Sequence, residues 1–426
     1  MNNKIKFDIA VIGGGPAGMI SAGRAGELGA KVLLLEKNSK LGRKLLITGN
    51  SRCNLTQAEF NIREMVEKFG PNGKFLFSSL SAFGVKETID FFNEHGLETK
   101  IERGDRVFPA SDDAKDVLDV LVKYMAKNHV TVLCDAQVIS LEKNGNRINR
   151  LVSNKGEIIA DNYILCTGGK SFPGTGSTGD GFKWAKDLGH NVTELKPALA
   201  PLSISEDWVK SLQGLSLKNV EVTVLLNGEK KESIFGEMLF THFGVSGPII
   251  LTISKIVSAL MKKGKVTLSI DLKPALDFTK LDNRLQRDFL KYQNKFFRNA
   301  LDELLPQKMI PIIVELSEID PEKQVNSITR EERHGLVNLL KSLNMSVIGL
   351  LGFEHSLITN GGVHIKEIDP KTMRSKLIEN LFFAGEIVDV DGPTGGYNLQ
   401  VCWSTGYVAG ENAYLSAKFV KSHEKD

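Results

Sequence analysis

Cysteine is scarce in this chain, and the few present do not cluster. Cys53, Cys134, Cys166 and Cys402 are scattered over 426 residues without a C-x-x-C pair, and the eight histidines add no H-x-x-x-H pair. That argues against a disulfide-stapled secreted domain and a structural zinc site, so no metal is expected. No apolar run approaches the roughly eighteen residues of a membrane span, and no signal peptide is read, because a strand begins near Lys6; a cytoplasmic protein with no membrane partner is expected. An excess of charge is lacking too. A net +3 is slight for this length and gives no reason to expect a nucleic-acid partner. Low-complexity tracts and internal repeats are absent. What is plentiful is glycine, forty residues of it, in a chain that is 42% hydrophobic and 25% charged. This is the make-up of a globular protein of two or three domains with glycine-built loops.

The strongest signal lies at 7–37, FDIAVIGGGPAGMISAGRAGELGAKVLLLEK. An apolar, β-branched run (Phe7 to Ile12) predicts a strand. Gly13, Gly15 and Gly18 then form G-x-G-x-x-G, a small-residue helix runs to about Leu28, and a second strand, Lys31 to Leu35, ends at Glu36. Each glycine has a mechanical reason: Gly13 for a tight turn, Gly15 for approach of a pyrophosphate to the backbone, Gly18 for helix-on-strand packing. Helix N-terminal amides then face the phosphates, and Glu36 is placed to accept from an adenosine ribose. The loop alone does not separate FAD from NAD, since both carry the same ADP half.

The later segments separate them. GRKLLITGNSRCNLT (42–56) follows the ribose acid directly, where a dehydrogenase would continue with its next helix. ADNYILCTGG (160–169) is a strand ending in Thr-Gly-Gly. The stretch 379–413, ENLFFAGEIVDVDGPTGGYNLQVCWSTGYVAGENA, gives a buried strand, Gly385-Glu386, a glycine pair and a helix over Val401 to Leu415. With TGGKSFPGTGSTGDG (167–181), GEMLFTHFGVSGP (236–248) and TNGGV (359–363), the chain resembles the bacterial BaiN/YhiN-like flavoproteins, a family of NAD(P)/FAD-dependent oxidoreductases that also contains aminoacetone oxidase-like members. The resemblance spreads over nearly the whole chain.

That resemblance implies an extended FAD across a doubly wound, Rossmann-like α/β domain. Gly13, Gly15, Gly18 and Glu36 would hold the ADP half, with Pro16, Ala17 and Lys37 beside them and the Val138 backbone at the adenine. Arg43, Lys44, Gly49, Asn50 and Asn54 would line the flavin side. Thr167 and Gly168 would bracket the nucleotide, and Gly385 and Glu386 would lie near the ribitol. The late helix start would offer its amides to the flavin N1/C2=O edge, where negative charge gathers on reduction. There Gly395 and Gly396 would admit the ring, and Tyr397, Asn398 and Leu399 would complete the set. NAD(P)H would dock only transiently, as electron donor. The activity implied is hydride exchange between flavin and a small organic substrate. This is either NAD(P)H-linked reduction of an enone-like C=C of bile-acid or steroid type, or oxidation of an amine or aminoketone by oxygen. RNA-modifying flavoproteins share the fold, and a flavin-binding sensor without turnover is a further alternative.

Other residues invite attention. Gly174, Gly176 and Gly179 form a second G-x-G-x-x-G, but no strand directly precedes it and no acid-ended strand follows, so it reads as a cofactor-side loop. Cys53 sits beside Arg52, which would lower a thiol pKa; simple packing is the alternative. His242 is a candidate proton shuttle or substrate ligand, or a turn residue. Tyr397 is a candidate acid, or a ring covering the cofactor.

Between about 192 and 365 the pattern changes. Residues 217–227 and 265–272 alternate as strands, Asn227-Gly228 is a hairpin turn, and Ser246-Gly247-Pro248 starts a helix. Apolar spacing predicts an amphipathic helix over 280–305, whose basic residues read as a solvated face, and strands return at 345–363. The expected layout is an FAD domain from 1–191 and 356–426, an antiparallel β-barrel substrate domain from 192–276 and 344–355, and a helical cap from 277–343. A substrate is expected at the boundary of the domains.

Overall fold

The computed structural model describes residues 6–423. The chain divides into two compact units, the residues up to Pro197 together with those from Phe353 onward, and Ala198–Gly352.

The first unit is built on β1 (Lys6–Ile12), which the apolar run Ile9 to Ile12 places at the centre of a sheet, buried on both faces. Strands covered on both sides read as continuous apolar runs rather than alternating ones. β1 pairs in parallel with β2 (Val32–Leu35) on one side and with Gly156–Leu165 on the other, and Leu381–Phe383 adds in parallel to the latter. Register then aligns the strand ends. Ile12 lies opposite both Leu35 and Leu165, and Leu165 opposite Phe383. The chain therefore leaves these strands at Gly13, Glu36, Cys166 and Ala384 along one edge, the place where open α/β sheets bind ligands.

Helix α1 (Pro16–Glu27) starts directly after the glycine loop. It packs on the C-terminal helix Tyr397–His423, whose Gly406 and Gly410 sit on the α1 backbone. A methyl on Gly406 would stand 2.6 Å from the Ala17 carbonyl oxygen. The C-terminal helix thus begins at Tyr397, four residues before the Val401 start expected from sequence. The chain after β2 forms a short helix, α2 (Arg43–Ile47), and then β3 (Thr56–Gln57), an edge of a small antiparallel sheet with Arg106–Pro109 and Thr99–Glu102.

The second unit holds a closed barrel of Leu202–Ile204, Gly244–Ser246, Glu229–Thr241, Ser216–Leu226, Val266–Asp271 and Leu343–Leu350. Asn227 and Gly228, both at positive φ (50° and 88°), make its hairpin turn, and Pro248 opens the helix Pro248–Leu260. The long helix expected over 280–305 is shorter, Phe278–Lys291. Phe296, one of the apolar residues whose spacing suggests the longer helix, is exposed, and Phe297 is buried. The apolar phase slips there because the chain turns, with the Phe297 amide donating to the Lys323 carbonyl. Leu281, Leu285, Leu336 and Leu340 share a core with Val222, Leu268 and Ile270, so the 277–343 helices and the barrel form one unit. Its limits fall at 197/198 and 352/353 rather than at 191/192 and 355/356. Most basic residues of the 280–298 segment are occupied internally: Lys280 with Asp277, Arg284 with Asp288, Lys291 with Glu303 and Arg298 with Glu322. No helix among the described residues is long and apolar enough to cross a membrane.

Candidate cofactor site

The four strand ends open onto one elongated cleft. Gly13 takes φ +108°, and a Cβ there would stand 2.5 Å from the Cys166 carbonyl oxygen; one at Gly18 would run into the Gly13 carbonyl. Both glycines are therefore demanded by the protein's own backbone. Gly15 differs, since nothing lies within 4 Å of where its side chain would be. The first turn of α1 has Pro16 at its start and no side-chain cap, and Pro16 and Ala17 line the cleft. Uncapped amides beside open space fit an anionic group such as a pyrophosphate.

Glu36 closes one end. The residue is 8% exposed, and its carboxylate accepts from the Gly14 amide (2.7 Å), the Asn38 amide (2.8 Å) and Asn38 Nδ2 (2.6 Å). Oε1 takes two of these bonds and Oε2 one, so Oε2 retains capacity for a ribose hydroxyl. Ala136, Gln137 and Val138 line the same end, where the Ala136 amide donates to the Glu36 carbonyl. Lys37 Nζ reaches Asp180 at 2.8 Å, and Thr175, Gly176, Ser177 and Thr178 of the second glycine loop join the wall. That loop follows a turn rather than a strand, and it serves this cleft.

The other end is polar in a different way. Lys44 of α2 donates to Ser171 Oγ (2.6 Å) and Glu386 Oε2 (2.9 Å), while Glu386 Oε1 accepts from Ser171 Oγ (3.1 Å) and the Thr359 amide (2.8 Å). Arg43, next in sequence, is exposed and bonds Asn38 Oδ1 at 2.8 Å. Asn398, Leu399, Val401 and Cys402 bring the first turns of the C-terminal helix to the cleft, and Thr167, Gly168 and Gly385 border its middle. The buried Oγ1 of Thr167 has no hydrogen-bond partner within the protein. It packs against Gly181, where a Cβ would stand 2.0 Å from it. These observations fit a dinucleotide cofactor whose ADP half lies toward Glu36.

Several expected residues lie elsewhere. Gly49, Asn50 and Asn54 belong to a loop behind Thr48, the residue that does line the cleft; Gly49, Asn50, Ser51 and Cys53 all take positive φ, between 55° and 65°. Gly395 and Gly396 do not line it either. Gly396 takes φ +98°, and a Cβ there would strike the Thr56 backbone, so the glycine lets the helix start pass over β3. Tyr397 is buried edge-on against Phe69, centroids 6.0 Å apart, and burial pushes its phenol pKa up. Its ring does not line the cleft. His242 is exposed in the second unit, between two barrel strands and against Phe243. Cys53 is wholly buried and its thiol is pushed up to about 12 by burial, while Arg52 is drawn to Glu102 and Asp112 and stacks over Phe108 at 4.1 Å. Packing accounts for Cys53.

Sequence reasoning missed Asn38, Ser171, Thr359 and Trp184. Ser171 and Thr359 lie inside the glycine blocks TGGKSFPG and TNGGV, and a hydroxyl beside such glycines was the available signal.

A parallel sheet whose strand ends carry a glycine loop, an acid and a second, far polar end defines a dinucleotide-binding protein of the Rossmann type, and its relatives make it a flavin-dependent oxidoreductase. The chain belongs to the family described as HI0933-like protein Rossmann domain, whose model matches residues 7–412. It is 30% identical to a 3-dehydro-bile acid delta(4,6)-reductase of Clostridium scindens, over 95% of this chain and 98% of that protein. It is also 30% identical to a ribosomal RNA dihydrouridine synthase of Escherichia coli, over 96% and 98%. Among solved structures, a 3-ketosteroid delta1-dehydrogenase from Sterolibacterium denitrificans superposes with TM-score 0.54 at 13% identity, covering 96% of this chain and 100% of that one. A flavocytochrome c3 fumarate reductase gives 0.52 at 17%, covering 97% and 79%. At such identities these structures speak for the fold alone.

Proposed function

We propose that this enzyme binds FAD in the cleft and reduces a carbon–carbon double bond conjugated to a carbonyl. The observation that carries the reading is that two relatives of equal identity and nearly equal coverage bear names describing one kind of chemistry on unlike molecules. A delta(4,6)-reductase of a 3-oxo bile acid and a dihydrouridine synthase both saturate a C=C polarised by a carbonyl. Bound FAD supplies the hydride chemistry, and the protein binds, orients and electrically biases it.

In this reading the Gly15–Ala17 amides take the pyrophosphate, Glu36 the adenosine ribose, and the Val138 backbone the adenine. Thr167 and Gly168 border the nucleotide, and Lys44, Glu386 and the Asn398–Leu399 turn serve the flavin half. NAD(P)H is the proposed transient electron donor. The polarised C=C belongs either to a small enone or to a uracil ring presented in RNA. Both relatives match through the barrel unit as well as the cofactor unit, so the acceptor distinguishes the two and the fold does not.

The test is anaerobic. Purified yellow protein is bleached with NADH or NADPH, and then a 4-en-3-one steroid acid or a uridine-bearing ribosomal RNA fragment is added. Return of the yellow colour with either acceptor, in stoichiometric yield of saturated product, is expected, and the acceptor that works names the substrate. Bleaching by amines alone, with colour returning only in oxygen, would make the chain an oxidase.

A further inference from the structure

The Lys44 ammonium has three N–H donors, and the protein uses two of them, on Ser171 and Glu386. Those acceptors are fixed in turn. Ser171 is fully buried, its Oγ faces Glu386 Oε1 at 3.1 Å, its own amide bonds Thr359 Oγ1 at 3.2 Å, and the Thr359 amide bonds Glu386 at 2.8 Å. Four segments (α2, 169–171, 358–360 and 385–386) thus join in one hydrogen-bonded network that holds this amine. Gly169 permits this, because a Cβ there would collide with Glu386 and Thr359. Lys44 itself lines the cleft, at the end away from Glu36. A cation held by two rigid partners, with a donor to spare, is preorganised to meet negative charge and needs little reorganisation to do so.

Resting on the FAD reading above, we infer that Lys44 is a positioning residue that stabilises negative charge on the reduced cofactor, with Ser171 and Glu386 holding its ammonium in place. Charge near the flavin N1 edge is one of the levers by which a protein tunes this cofactor. Arg43 does not share the role, being exposed and committed to Asn38.

The test uses the purified full chain and three variants, K44M, K44R and S171A, with sulfite as the probe, because the flavin–sulfite adduct places negative charge at the same edge. Dissociation constants for sulfite and for FAD are measured, together with the midpoint potential. For K44M the sulfite dissociation constant is expected to rise about tenfold or more and the potential to fall, with K44R staying within about threefold of wild type and S171A lying between; tenfold corresponds to about 1.4 kcal/mol. Should K44M purify without flavin, S171A decides the matter, a rise of about threefold or more supporting the role and no change refuting it. Unchanged sulfite affinity and potential in a flavin-loaded K44M, with only FAD affinity reduced, would reduce Lys44 to a retention contact and overturn the inference. A wild-type chain that takes up no FAD would instead remove the reading beneath it.

Discussion

Two glycine stretches precede helices in this molecule, and they answer to different demands. At 13–18 two glycines are fixed by the protein's own backbone, but Gly15 looks into open space beside uncapped helix amides. At 392–396 each glycine faces protein: Gly392 the Phe69 ring, Gly395 the Gln57 side chain and Gly396 the Thr56 backbone. The sequences look alike, both glycine-rich and both leading into a helix. Only the first contains a glycine with open space where its side chain would stand. The pattern shows where the chain must be thin, and the neighbours show what makes it so.

Substitutions should separate the two cases. The largest effect is expected for Gly396→Val, which adds a branched side chain at positive φ against backbone that has no room to move. Stability should fall by about 3 kcal/mol or more, equally in the presence and absence of FAD, as read by urea unfolding of both forms. Gly15→Ala should invert that result. Unfolding of the apoprotein should stay within about 0.5 kcal/mol of wild type, while FAD affinity falls about tenfold, or about 1.4 kcal/mol. A Gly15→Ala protein that binds FAD normally would erase the contrast.

Tyr397→Phe sharpens the second stretch further. The ring is buried on Phe69 and its hydroxyl is no part of the cleft, so turnover and its pH profile should be unchanged. A lost limb in the profile would restore the tyrosine as an acid.

The smallest effect concerns buried thiols. Burial pushes Cys53, Cys166 and Cys402 from 9.0 up to about 12. Well below pH 9 both folded and unfolded thiols are neutral. Between pH 9 and 12 the unfolded chain ionises and the folded one does not, so stability should decline as pH rises through that window. A Cys53→Ala protein should decline less steeply when unfolding is followed over the same range.

Much of the cleft was legible in the sequence because its Glu36 end is local. Strand, glycine loop, helix, strand and acid occupy one continuous stretch, and Thr167 and Glu386 follow strands whose apolar runs announce them. The far end was harder. Lys44, Ser171, Thr359 and Glu386 come from a helix, a loop, a short strand of a separate sheet and the end of a main-sheet strand, and spacing along the chain carries no trace of that meeting. The helix expected over 280–305 proved too long for a related reason, since a one-residue shift from Phe296 to Phe297 moves the apolar face when the chain turns. The Val401 helix start was late because Tyr397 to Gln400 look polar, while Tyr397 and Gln400 are in fact buried; Gln400 bonds Thr56, Thr88 and Ser404.

The account is tested most directly by titrating FAD into the apoprotein, with quenching of flavin fluorescence as the readout, for wild type and Gly15→Ala side by side. It predicts saturation at one FAD per chain, with affinity weakened about tenfold by the added methyl. Failure of the wild-type chain to bind, or identical curves for the two proteins, would contradict it.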